Sequence, residues 1–145
     1  MDLMKSCVRA GLVLAAAGMI AGAAARAEEP TKTVYHLPDE RQATLAMNNV
    51  ANQLAADPQA KIVVVALSTG VRAFLFGAQD AGGRPFSEWV ETLGAKGVEF
   101  RMCLNSMNAL QLGKQDFVDG LQFVPSGVAE IVRLQVREGY AYIRP

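Results

Sequence analysis

The chain has 145 residues, just over half of them apolar, with 14 basic and 14 acidic side chains, one histidine and two cysteines. A formal charge of zero gives no electrostatic reason to expect nucleic acid or an anionic membrane surface as partner. One histidine and the one cysteine left once the leader read below is removed fall short of the four ligands of a structural zinc site, and neither a metal nor a cofactor is expected.

Residues 1–27 place Lys5 and Arg9 ahead of an apolar run from Ala10 to Ala25, closed by Ala25-Arg26-Ala27. That is the layout of a cleaved secretory signal. The run is rich in alanine and glycine, whereas a spanning helix needs about 20 strongly apolar residues. Cleavage after Ala27 is expected, with a periplasmic or secreted product and no membrane contact afterwards. Cys7 precedes the apolar run, where a lipoprotein cysteine would follow it, so it leaves with the signal. What remains, residues 28–145, suits one domain and is too short for two. It carries 11 basic and 13 acidic residues and a single cysteine, Cys103. Any disulfide then requires another molecule.

The first predicted strand is Thr33 to Leu37, stopped by Pro38. From Asp39 the residues Ala43, Ala46, Met47, Val50, Ala51 and Leu54 recur at three- and four-residue steps, the stripe of an amphipathic helix. Asp39 is placed to cap it, with Gln42 in the capping-box position, and Asp57-Pro58 ends it. Lys61 to Leu67 is a continuous β-branched run, which suits a central parallel strand covered on both faces.

Ser68-Thr69-Gly70 follows as a turn, Val71 to Phe76 as a short helix, and Ala81 to Pro85 as a loop. Ser87 is read as the cap of a helix through Trp89, Val90 and Leu93, with Gly97 past its end. A third strand runs from Val98 to Leu104. A weak helical segment, Lys114 to Asp119, precedes a fourth strand, Leu121 to Val124. Pro125-Ser126-Gly127 turns into a last helix closed by Gly139, and Tyr140 to Arg144 forms a fifth strand. Strands alternating with helices imply an α/β domain with a mostly parallel sheet and right-handed crossovers.

In such sheets ligands gather beyond the carboxyl ends of the strands, and Cys103 falls at one, just before Asn105-Ser106. Arg101, two residues back, lies on the same strand face, and a helix beginning near Asn105 would turn its N–H groups toward the thiol. Both would favour a thiolate. The plain alternative is a small buried hydrophobe, with Arg101 paired to Glu99. His36 could serve as a base near neutral pH or as a satisfied strand-end side chain. Ser68, Thr69, Gly70, Ser126 and Gly127 could hold an anion through hydroxyls and backbone amides, although Ser126 also reads as a helix cap. No catalytic triad order, Walker loop, dinucleotide fingerprint or CxxC pair is present.

Several segments together resemble the DsrE/DsrF-like family of small α/β proteins associated with sulfur relay. They are Val34-Tyr35-His36-Leu37, Asn48-Asn49, Lys61 to Leu67, Gly97-Val98-Glu99-Phe100 leading to Cys103, Asn105-Ser106-Met107, Val124 to Glu130, and Gly139 to Pro145. The last two resemble an exported, single-domain branch. The resemblance implies a three-layer α/β/α sandwich of about five strands and assembly into homo-oligomers, trimers or hexamers, for which Phe74, Phe76 and Trp89 are interface candidates. It also implies a role for Cys103 as the carrier of sulfane sulfur as a persulfide, passed to a thiol on an acceptor protein. In that reading Arg101 stabilises the thiolate and Asn105 or Ser106 orients the sulfur species. The alternative keeps the scaffold as a non-catalytic binding or assembly module, its strand-end loops holding a small anion or a partner chain. A third reading is a redox sensor joined between subunits through Cys103.

Overall fold

The computed structural model describes residues 29–145. Five parallel strands form one sheet in the order β4-β3-β2-β1-β5: β1 Lys32–Leu37, β2 Lys61–Ala66, β3 Glu99–Cys103, β4 Gln122–Val124 and β5 Ala141–Ile143. The run Ile62-Val63-Val64-Val65 makes β2 the central strand because every one of those side chains is buried, whichever face it points to. Expected and observed strands differ by one or two residues at their ends, which is the usual fraying of such boundaries.

Four helices connect the strands: α1 Ala43–Ala56, α2 Phe86–Gly94, α3 Leu104–Ala109 and α4 Gly127–Glu138. The chain steps from β1 to β4 in one direction and then jumps back past β1 to reach β5. With right-handed crossovers, that reversal puts α4 on the opposite face from α1 and α2. The result is a three-layer sandwich with unequal layers. On one face α1 and α2 cover a large core that includes Met47, Ile62, Phe74, Leu93, Phe100 and Met102. On the other, α4 alone covers Val34, Val63 and Val65 with Ile131 and Leu134.

Local chemistry accounts for the helix ends. Asp39 caps a 3₁₀ turn, Glu40–Gln42, by accepting the Arg41 N–H at 2.9 Å, and α1 continues from it. The expected capping box does not form, since Gln42 Oε1 is buried with no partner. Ser87 is not the cap of α2, which begins at Phe86 after Pro85. Burial of the Phe86 ring against Phe74, 5.9 Å between centroids, sets that start instead. The preceding loop is pinned by Asp80, which accepts the Trp89 indole N–H at 2.8 Å and the Arg84 backbone N–H at 2.9 Å. At α4 the sequence signals hold: Ser126 Oγ accepts the Ala129 N–H, and Gly139 closes the helix at φ 73°. Of the interface candidates, Phe74 is fully buried in the chain's own core, Trp89 packs partly into it, and Phe76 is exposed.

One ion cluster ties α4 to the sheet. Arg101 on β3 pairs with Glu99 at 2.5 Å and with Glu130 on α4, and Glu130 also accepts from Arg133 at 2.8 Å. The Arg101 and Glu130 side chains are only 13% and 12% exposed. The Arg133 hydrogen bond, followed by Arg101, holds the Glu130 carboxyl below the ordinary range against its partial burial. A carboxyl depressed in the fold contributes stability above its unfolded pKa and loses it as pH falls through the folded value. Glu130→Ala is therefore expected to cost about 2 kcal/mol, below the usual buried-pair loss because Arg101 keeps Glu99. Urea unfolding should show that difference at pH 7 and a smaller one in acid.

Candidate functional site

Cys103 is the last residue of β3 and the N-cap of α3. Side chains alternate along a strand, so Cys103 shares the α4 face with Glu99 and Arg101. There it meets Gly127, the first residue of α4, and Leu67, the residue after β2. A Cβ built on Gly127 would stand 3.1 Å from both Cys103 Cβ and Leu67 Cβ, so glycine is what lets α4 approach the thiol.

The sulfur lies where two helix starts converge. Cys103 is 4% exposed, and burial alone would push its thiol pKa up. Four hydrogen-bonding groups outweigh that and bring it below the ordinary value: the Ser106 hydroxyl first, then the backbone N–H groups of Gly127, Ser106 and Asn105. The Ser106 hydroxyl is itself oriented. Its oxygen accepts the Ser68 N–H at 2.7 Å, which leaves its proton free for the sulfur. Ser68 takes φ 52°, a left-handed conformation uncommon outside glycine, in making that contact.

Gly70 fixes the same loop. Its N–H donates to Leu67 O at 3.0 Å and to Pro38 O at 3.3 Å, while a Cβ there would sit 2.1 Å from Leu37 O. The end of β1 thus locks the turn that orients Ser106. Asn105 N–H also reaches Pro125 O at 3.3 Å, which joins the β3–α3 and β4–α4 turns.

Among the expected site residues, Asn105, Ser106 and Gly127 gather around Cys103, Ser68 joins through the Ser106 hydroxyl, and Gly70 stands one step back against Leu37 and Pro38. Thr69 lies within the 3₁₀ segment Ser68–Phe74, and Ser126 acts as the α4 cap. Arg101 has its guanidinium engaged by Glu99 and Glu130, and the groups that lower the thiol pKa are the Ser106 hydroxyl and three backbone amides.

His36 also lies apart from the thiol. It pairs in register with Val65, which pairs with Arg101, and two strand spacings put it roughly 10 Å from Arg101. Its Nδ1 meets the Tyr142 hydroxyl at 2.6 Å, and its Nε2 is buried with no partner. Burial, then Arg144, lower its pKa. Leu67 and the Pro125 carbonyl were missed because nothing in a strand-end leucine or a proline marks either as lining a thiol site.

A cavity of about 600 Å³ opens at the other end of the sheet, beside Glu99, Gln122, Val90 and Phe76, and none of the expected site residues lines it. Among the described residues no helix is long and apolar enough to cross a membrane.

Fold and site together define a parallel α/β protein with one thiol held at the carboxyl edge of its sheet by the starts of two helices. The model of the DsrE/DsrF-like family matches residues 32–145, and the chain belongs to that family. Its structure is similar to that of MTH1491 from Methanobacterium thermoautotrophicum, a protein of unknown function, with 35% identity and a TM-score of 0.70. That match covers 79% of this chain and 99% of the other. It shares the fold of YchN from E. coli at 12% identity and a TM-score of 0.65, covering 80% of this chain and 99% of the other. No curated protein matches. Family membership suggests a role related to sulfur relay.

Proposed function

We propose that the protein carries sulfane sulfur as a persulfide on Cys103. The observation that supports this most is the place of Cys103 at the start of α3 and against the first residue of α4, where the Ser106 hydroxyl and the N–H groups of Gly127, Ser106 and Asn105 lower its thiol pKa against burial. Such donors stabilise a thiolate, the form that attacks sulfur, and also the anionic persulfide that results.

With thiosulfate as donor, the Cys103 thiolate attacks the outer sulfur. A new S–S bond forms, the old one breaks, and sulfite leaves with its electron pair. The product is the Cys103 persulfide anion, and total charge is conserved. In the second half-reaction an acceptor thiolate attacks the same outer sulfur and Cys103 departs as thiolate. Neither half requires an external oxidant.

The leader, residues 1–27, lies outside the described residues; its sequence supports a periplasmic setting. With Cys7 removed, the mature chain has no second thiol to receive the sulfur. The acceptor is therefore a cysteine on another protein, within or beside a homo-oligomer.

Incubation of the reduced protein with thiosulfate or polysulfide tests this by intact mass. A gain of roughly 32 Da, one sulfur atom, that reductant reverses and Cys103→Ser abolishes is the expected result. No gain, with a thiol that stays inert until the chain unfolds, would overturn it and favour the binding-module reading.

A further inference from the structure

We propose that the cavity beside the β4 edge is a binding site for a small organic cation, an ammonium group on an apolar body, distinct from the thiol site. Its volume of about 600 Å³ falls within the range of small-molecule sites, roughly 300 to 1,000 Å³. Glu99, on its wall, opens β3 four residues before Cys103, which puts the cavity about 13 Å along the strand from the sulfur.

Two segments far apart in the chain build it. Val90, Glu91 and Gly94 recur at helical spacing, so α2 presents one face to the turn Val118-Asp119-Gly120 that leads into β4. The floor is apolar: Val90, Val98 and Val118 belong to the large core and are buried. Gly120, at φ 86°, brings the turn so near that a Cβ there would stand 3.1 Å from Val90 Cγ1, which closes that side. Gly94 does the opposite. A Cβ there would meet nothing within 4 Å, so the space above the floor stays open. At the mouth the Phe76 ring is 63% exposed, and with the three valines it makes one contiguous apolar surface.

Charge decides the class of ligand. Every ionisable side chain that lines the cavity is a carboxylate: Glu91, Glu99 and Asp119. Glu99 is occupied, pairing with Arg101 at 2.5 Å and accepting from Gln122 Nε2 at 3.1 Å. Glu91 and Asp119 make no ion pair among the described residues, so two carboxylates line the opening without a cation. An anion would meet repulsion there, and a neutral apolar ligand would strip water from both carboxylates with no partner to replace it. A bare metal ion does not fit either, since no three acidic, histidine or cysteine side chains among the described residues are grouped closely enough to hold one. An organic ammonium ion meets both demands: its body covers the valines, its charge faces the carboxylates, and the Phe76 ring offers a second, π-type contact to the cation.

Titration of the purified, isotope-labelled protein with phenylpropylammonium, followed by its backbone amide spectrum, tests this. Saturable shifts at Gly94 and Gly120 are expected, and phenylpropionate, of similar size and opposite charge, should produce none. Glu91→Gln combined with Asp119→Asn should weaken amine binding about tenfold, the loss of two exposed ion pairs. Gly94→Met, built into open space, should abolish binding while the unfolding midpoint holds. Absence of saturation by the amine would overturn the proposal. So would equal binding of phenylpropionate, or unchanged amine affinity in the double carboxylate variant. None of these readouts depends on what Cys103 carries.

Discussion

Gly70→Ala is expected to destabilise the protein by about 3 kcal/mol or more, the upper end of what overpacking costs. The added methyl would stand 2.1 Å from Leu37 O, a backbone atom that no rotamer change can move aside. That carbonyl already accepts the Leu67 N–H at 3.0 Å, and Gly70 N–H is tied to Pro38 O. Relief therefore requires β1 to part from the turn after β2. Gly94→Ala is the matched control. It lies in α2 with nothing within 4 Å of an added Cβ, so alanine there should be neutral or stabilising by up to about 1 kcal/mol. Urea unfolding of the two variants reads the contrast, and a Gly70→Ala protein as stable as wild type would contradict the close approach.

Ser106→Ala should lower the thiolate fraction at neutral pH by about tenfold, the factor corresponding to loss of one hydrogen bond to a charged group. The Ser106 hydroxyl is the strongest of the groups that depress the Cys103 pKa, and the Ser68 N–H keeps it aimed. The rate of native-state alkylation against pH should shift upward in this variant while the three backbone donors remain. A linked effect appears in stability. A thiol whose pKa is lower folded than unfolded contributes stability above the unfolded value, near 8.5, and loses it as pH falls through the folded value. Cys103→Ser should abolish that dependence. An alkylation profile in Ser106→Ala that overlays the wild type would remove the hydroxyl from the account.

Much of the architecture is legible in the chain because local signals and global fold agree. The run Ile62 to Val65 marks a strand buried on both faces, the apolar steps from Ala43 to Leu54 mark α1, and Ser126 with Gly139 bounds α4. Where local signals compete, packing decides: Phe86 starts α2 ahead of the better cap Ser87 because its ring fills the core beside Phe74. Cys103, Ser106 and Gly127 could be named from sequence because they sit where strands end. Their roles depend on distance relations that sequence does not carry. Strand alternation puts Arg101 on the face of the thiol and leaves its pairing with Glu99 open as the plain alternative; the structure shows that pair and adds Glu130, 29 residues further on. Gly70 reads as a turn glycine, and its contact with Leu37 exists only once β1 and β2 are paired.

The central claim is that folding lowers the Cys103 thiol pKa and so favours the thiolate. The most direct test is titration of thiolate ultraviolet absorbance in the native protein, with Cys103→Ser subtracted to isolate this one sulfur. The account predicts a midpoint clearly below the ordinary thiol value of about 8.5, rising to that value when the chain is unfolded. A native midpoint at or above the unfolded one would mean that burial prevails over the converging donors, and Cys103 would then be core packing and not a sulfur carrier.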